Sequence, residues 1–141
     1  MMIWQKQITL DELGLSAKET LISHLGIEFT KIGDDSLSGR MPVDARTIQP
    51  AGILHGGASV VLAETLGSIA ANFCLKDCSK IAVGQEINAN HVRPMQSGWV
   101  YGTARPLHIG GSTQIWEIHI KNNDERLVCV SRLTMAVINK W

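Results

Sequence analysis

The sequence predicts an α+β fold in which one long helix is wrapped by a strongly curved, six-stranded antiparallel sheet. Three observations predict it. Residues 55 to 73 carry a helical apolar pattern whose only charge is Glu64. Two alternating segments precede this stretch and four follow it, all separated by turn-forming residues. The helical pattern is apolar on both sides, and a helix of that kind is buried on both sides. A sheet on one side and a second subunit on the other would do this.

The elements follow in chain order. Residues 9 to 24 read as a short, mostly helical lead-in, with Thr9 and Glu12 in capping-box spacing and Leu13, Leu21 and Leu25 to dock it. Residues 25 to 32 and 36 to 41 alternate like strands about the turn Gly33-Asp34-Asp35, and Pro42 ends the pair. Residues 43 to 53 lack periodicity and read as a loop. The long helix begins near His55 or Gly56. Leu62, Leu66, Ile69 and Phe73 form one large apolar stripe, and Gly57, Val60, Glu64, Ser68 and Ala71 fall on a narrow opposite face. Cys74 to Lys80 is a polar break. Strands are then expected at Ile81–Val92, Trp99–Leu107, Thr113–Lys121 and Leu127–Ile138. Joined by short turns, they read as an antiparallel meander.

The 141 residues fit a single domain spanning 1–141, long enough to bury about two-thirds of the unfolded chain's surface without staples. Thirteen basic and thirteen acidic residues cancel, so the chain as a whole exerts no pull on nucleic acid. Three cysteines, Cys74, Cys78 and Cys129, are an odd set and point to reduced thiols and a cytoplasmic location rather than a disulfide framework. The N-terminus has no apolar signal core. Glu64 lies near the middle of the longest apolar run, where a charge costs about 3 kcal/mol in lipid, so this helix is expected in protein and not in a membrane.

Glu64 is the first candidate for chemistry. A desolvated carboxylate on a small-residue apolar helix suits general-base or nucleophilic work, and its plain alternative is a structural acid paired with a cation. Gly56 and Gly57 sit where a helix start offers free N–H groups and a positive dipole end, and glycine lets a substrate carbonyl approach closely. Eight residues separate Gly56 from Glu64, about 12 Å along a helix axis. One helix does not readily bring both to one carbonyl, so a site shared between two subunits is the economical arrangement. Gln49 either donates its amide to a carbonyl oxygen or is a solvated loop residue. His55 either polarises a carbonyl or orients a base, or it caps the helix. Ser68, one turn past Glu64, either holds the carboxylate or a water, or bonds its own i−4 carbonyl. His91 and Arg93 end a strand and, with Arg46 and Arg105, either meet phosphates or, the stronger reading for any one of them taken singly, are solvated strand-end charges. No Cys/His spacing suggests a metal site, and no serine-nucleophile elbow is present.

Met41-Pro42-Val43-Asp44, Arg46-Thr47, Gln49-Pro50, Gly52, Leu54-His55-Gly56-Gly57 and Leu62-Ala63-Glu64-Thr65-Leu66-Gly67-Ser68 resemble the hotdog-fold acyl-CoA thioesterases. The branch is that of the Arthrobacter-type 4-hydroxybenzoyl-CoA thioesterase and the phenylacetate-pathway thioesterases. Within it the likeness is to the paired bacterial enzymes, one acting on 1,4-dihydroxy-2-naphthoyl-CoA in menaquinone synthesis and the other proofreading enterobactin synthesis. Ile3-Trp4, residues 88 to 94, residues 106 to 110 and Ser131-Arg132-Leu133 extend it over essentially the whole chain. The resemblance implies a hotdog fold, a homotetramer built as a dimer of dimers, and sites at subunit interfaces. It implies Glu64 as nucleophile or general base and Gly56 as the backbone N–H donor. It implies Gln49 and His55 as the groups that position the carbonyl and water, and Ser68 as the hydroxyl near the carboxylate. It implies His91 near the substrate or CoA end, and Gly57, Thr65 and Arg93 are expected beside it as substrate- or CoA-binding residues. Ala51 stands where these relatives often carry an aromatic residue, which reshapes the acyl pocket.

The expectation is therefore a cytoplasmic thioester hydrolase acting on an acyl-CoA, aromatic in its acyl group, with no cofactor beyond the coenzyme A of the substrate. Two other readings stand beside it. One is release of misloaded aryl groups from a carrier protein. The other is an acyl-CoA-binding module without catalysis, against which the acid on the small face argues. Dehydration of hydroxyacyl thioesters would need a His/Asp pair that the sequence does not show.

Overall fold

Two threonines organise the start of the chain. In the computed structural model, which describes residues 1–141, Thr9 Oγ1 accepts from Glu12 N at 3.2 Å and opens α1 (Leu10–Ser16). Thr20 Oγ1 accepts from Ile22 N at 3.2 Å and opens α2 (Leu21–His24). The lead-in is thus two helices rather than one. The break falls at Ala17–Thr20, where Glu19 takes a left-handed φ of 59°. Leu13 is buried and docks α1, whereas Leu21 points outward. Leu25 caps α2 and Gly26 turns at φ 73°, so β1 spans only Glu28–Ile32 and not the expected 25 to 32.

β2 (Leu37–Pro42) pairs antiparallel with β1, and α3 (Gly56–Phe73) follows. Then come β3 (Lys80–His91), β4 (Trp99–Ile109), β5 (Thr113–Lys121) and β6 (Leu127–Asn139). The sheet has six strands in the order β1-β2-β4-β5-β6-β3, and every pair is antiparallel. The expected four-strand meander therefore shrinks to β4-β5-β6. β4 already has β2 on one side and β5 on the other, which leaves no side for β3. β3 lies instead on the free side of β6, and these two longest strands match from Lys80↔Asn139 to His91↔Cys129. Residues 92 to 98 carry the chain from that edge back to the centre. On the way Met95 O accepts from Leu54 N at 2.7 Å and Gly98 O accepts from Val43 N at 2.8 Å.

The helix is wrapped as its composition demands. Ser59, Leu62, Ala63, Leu66, Gly67 and Ala70 are buried, a 3–4 spacing that puts them on one face against the sheet. Gly39 of β2 and Gly102 of β4 are direct partners, and together they form a notch for Leu66. A Cβ on Gly39 would stand 3.1 Å from Leu66 Cδ2, and one on Gly102 would stand 2.9 Å from Leu66 Cδ1. The buried stripe is narrower than the sequence suggests: Ile69 and Phe73 are half-buried at its flank, and Ala71, expected on the opposite face, is fully buried. Val60, Glu64, Thr65 and Ser68 are half-buried, off the buried stripe, and Glu64 among them faces Gly84 of the edge strand β3. Beneath the helix, Trp116 Nε1 donates to Gln114 Oε1 at 2.9 Å and Gln114 Nε2 donates to Ala71 O at 3.2 Å, so this buried polar pair is satisfied. No helix is long and apolar enough to cross a membrane.

Candidate active site

The start of α3 sorts its free N–H groups in an uneven way. His55 is the N-cap, and its Nδ1 accepts from Gly57 N at 2.8 Å. That bond fixes the tautomer, because an accepting Nδ1 leaves the proton of the neutral ring on Nε2. His55 O accepts from Ala58 N at 3.0 Å and from Ser59 N at 3.3 Å. Gly56 N–H alone donates to no group of the chain. It is an unpaired donor at the positive end of an 18-residue helix.

That donor opens into a cleft of about 350 Å³ lined by Gln49, Gly56, Ser59, His91, Arg93 and Val128, among others. Three pieces of chain build it. The first is the loop before α3, where Ile48 bridges to Leu54, and where Gln49 N donates to Ile53 O and Gly52 N to Gln49 O, both at 2.8 Å. Gln49 Oε1 accepts from Ala51 N, which leaves its Nε2 protons for the cleft. The second piece is the end of β3 with the returning segment, tied down where Val128 O accepts from Val92 N at 2.9 Å. The third is the first turn of α3. His91 closes over Gly56: a Cβ on Gly56 would meet its Nε2 at 2.7 Å. Of the arginines considered from the sequence, Arg46 is paired with Asp44 at 2.7 Å and Arg105 faces Asp35 at 3.9 Å. Arg93 makes no such pair and lines the cleft. The Arg46 hydrogen bond holds the Asp44 carboxyl below its ordinary range.

Glu64 is not in this cleft. It lies two helical turns on, half-buried, with no Lys, Arg or His at ion-pair distance and no hydrogen bond to the chain. Its carboxylate rests against Gly84 in β3, the edge strand. Ser68 lines a second cavity, of about 370 Å³, with Glu12, Leu13, Ser16, Ile69 and Phe73. Its hydroxyl does not bond back to the Glu64 carbonyl. Thr65 is half-buried beside Glu64, and Gly57 is exposed under the His55 ring. The single chain thus gathers Gln49, Gly56, His91 and Arg93, and keeps Glu64, Thr65 and Ser68 apart from them. No group of three or more His, Cys, Asp or Glu side chains is spaced to hold a metal ion.

Sequence reasoning missed Ser59, which is 1% exposed and lines the cleft. The signal was its i+3 spacing from Gly56 on the same helical face. It also missed Gly84, for which the sequence held no signal, because no local pattern says which helix residue crosses a strand glycine.

The thioesterase superfamily model matches residues 51–129. The 1,4-dihydroxy-2-naphthoyl-CoA hydrolase of Escherichia coli is 50% identical over 137 residues, 97% of this chain and 100% of that protein. A thioesterase from Haemophilus influenzae has a crystal structure with TM-score 0.94 and 49% identity, covering 98% of this chain and 96% of its own. A mutant thioesterase from Pseudomonas aeruginosa, with a glutamine changed to alanine, gives TM-score 0.95 and 45% identity, with 98% and 99% coverage.

Proposed function

The chain belongs to the thioesterase superfamily as a hotdog-fold thioester hydrolase, and from that premise we propose that it hydrolyses aromatic acyl-CoA thioesters at a site shared by two subunits. The observation that carries the proposal is the Gly56 N–H. It has no acceptor in the chain, it sits at a helix N-terminus, and it faces a cleft that also holds Gln49 and His91. In the reaction the thioester oxygen takes hydrogen bonds from Gly56 N–H and Gln49 Nε2. These strengthen as the carbonyl carbon becomes tetrahedral and its oxygen gains negative charge. Glu64 attacks that carbon, or takes a proton from a water whose oxygen attacks it. The C–S bond then breaks, and the sulfur leaves with its electron pair as CoA thiolate. Where Glu64 itself attacks, the acyl-Glu64 anhydride left behind is cleaved by a water that attacks the acyl carbon and frees the Glu64 carboxylate; in either course a water-derived oxygen ends in the carboxylate product. His55 Nε2–H and the Ser68 hydroxyl orient the water and the acid. Gly57, Thr65, His91 and Arg93 shape the binding surface, and Arg93 serves the phosphates of CoA.

The separation within one chain supports the shared site. Gly56 and Glu64 stand about 12 Å apart along α3, and Glu64 is not among the residues lining the Gly56 cleft. Glu64 lies instead under β3, a 12-residue strand at the edge of the sheet with no partner on its outer side. A long open edge is a template for pairing with another strand. A second copy added there, related by a two-fold axis, brings its own helix start toward Glu64. Two such dimers make the proposed tetramer. The naphthoyl group on which the Escherichia coli relative acts supports an aromatic acyl group here, and we place the enzyme in the cytoplasm.

The test is Glu64→Gln and Glu64→Ala assayed on benzoyl-type CoA esters. A reacting acid or base is worth about 10²–10⁴ in rate, so kcat falls by at least that lower bound. A kcat near that of the unchanged protein sinks the proposal. Turnover of one aryl group on CoA and on a carrier protein, compared side by side, separates the proofreading reading from this one.

A further inference from the structure

We propose that Gly84 is a positioning residue: the space left by its missing side chain is the seat of the Glu64 carboxylate. The proposal rests on the reading of Glu64 as the reacting acid.

Nothing in the backbone requires glycine at this position. The left-handed glycines of the chain are Gly26, Gly52 and Gly98, and Gly84 is not among them. Packing against the core does not require it either. Glycines 39, 67 and 102 make room for Leu66 and Leu133, which are buried leucines. At Gly84 the only atoms within 4 Å of an added Cβ belong to Glu64: its Oε2, in hard contact, and its Cδ at 3.4 Å. A strand interior disfavours glycine, which packs nothing and loses more chain entropy than other residues. One side chain gains from its presence here, and it is the acid of the proposed reaction.

Two features hold acid and seat in register. The β3–β6 ladder shifts between Gly84, opposite Met135, and Glu86, opposite Thr134. Gln85 is the extra residue of this bulge, and bulges re-aim a strand locally. Asn72, eight residues past Glu64 on α3, clamps the same strand at Ala82. Its Oδ1 accepts from Ala82 N at 2.9 Å, and its Nδ2 donates to Ala82 O and to Ser68 O, each at 2.9 Å. Helix and strand are thereby kept from sliding past each other, and Glu64 meets β3 at its one residue without a side chain near that point.

The experiment compares Gly84→Ala, Glu64→Asp, the double variant and Glu64→Gln on benzoyl-CoA, with Tm measured for each. A methyl group at residue 84 pushes the carboxylate aside by about 1 Å, a misplacement that costs roughly a hundredfold in kcat. KM stays within about threefold, because ground-state binding is not what is lost. Tm holds or rises, since alanine fits the backbone and restricts the unfolded chain. In the Glu64→Asp background the shorter acid clears the methyl, so adding Gly84→Ala lowers kcat by less than about threefold, a strongly non-additive pair. A Gly84→Ala enzyme with unchanged kcat overturns the proposal. So does the same fold loss in both backgrounds, with or without a fall in Tm, because it marks a glycine needed by the strand alone. Glu64→Gln separates the two levels. If it retains full kcat, the reading of Glu64 fails and the seat with it. If it is inactive while Gly84→Ala is unimpaired, the seat alone fails.

Discussion

Replacing Gly56 by alanine probes the carbonyl-binding half of the site with a perturbation of one methyl group. The new Cβ would stand 2.7 Å from His91 Nε2 and 3.1 Å from its Cδ2 and Cε1. Ordinary contact distances are longer by about 0.7–1 Å, so the imidazole retreats by that much from the helix start. The helix itself does not suffer. Alanine is the better helix former by about 0.5–1 kcal/mol in an interior position, and by less at the first one. The Gly56 N–H survives, but its approach is narrowed and its neighbour displaced. A misplacement of about 1 Å costs roughly a hundredfold, and loss of an oxyanion donor costs about 10²–10³. The expected fall in kcat/KM is therefore about a hundredfold, or about 2.7 kcal/mol of transition-state stabilisation. Thiol release from benzoyl-CoA, followed with a chromogenic thiol reagent, reads kcat/KM, and a thermal melt reads the stability of the fold. A variant with kcat/KM within about threefold of the parent would refute the assignment of the helix start to the carbonyl. So would a Tm that falls in step with activity, since that marks a folding defect.

Three further outcomes follow from the same geometry. Leu66→Ala empties the notch between Gly39 and Gly102 and costs about 3–5 kcal/mol in urea unfolding; a loss under about 1 kcal/mol would mean that the helix is not seated there. His55→Ala removes both cap and imidazole, whereas His55→Asn keeps an N-cap acceptor, so the first loses about 1 kcal/mol of stability and both lose turnover; full activity in His55→Asn would limit His55 to capping. Burial pushes the Cys74 thiol up to about 12 and raises that of Cys129 as well. A raised thiol pKa leaves little thiolate at pH 8, so the native protein exposes one fast-reacting thiol, Cys78, and the unfolded chain all three; fast labelling of Cys74 in the native state would contradict its burial.

What local pattern encodes was legible, and what depends on partners was not. The start of α3 could be read from His55-Gly56-Gly57, and β5 from its alternation of Trp116, Ile118 and Ile120 with Glu117, His119 and Lys121; the structure buries the first three and leaves the others half-buried or exposed. Strand order was not legible. Alternation identifies a strand without naming its neighbour, and the place of β3 beside β6 follows from β4 having both sides occupied. That misreading hid the cleft, because the segment crossing back from β3 supplies Val92, Arg93 and Pro94 to its wall. The helix phase was right where large side chains set it, at Leu62 and Leu66. It was wrong at Ala71 and Ile69, because small residues let the helix sit closer to the sheet and shift which flank is covered. His55 was an even choice between cap and catalyst. The structure puts its Nδ1 on Gly57 N and leaves Nε2 available, so the cap does not exclude the second role.

The central claim is that a complete site takes Gly56 from one chain and Glu64 from another. Two inactive variants test it directly: Glu64→Gln, and Gly56→Val to block the carbonyl cleft. Each is assayed alone on benzoyl-CoA, then the two are unfolded together, refolded and assayed again. If sites are shared across a two-fold dimer, half of the randomly formed dimers are mixed and each mixed dimer holds one intact site. The mixture then recovers about a quarter of the parent activity. If each chain carries its own complete site, every site in every mixed dimer has one broken half, and no activity returns.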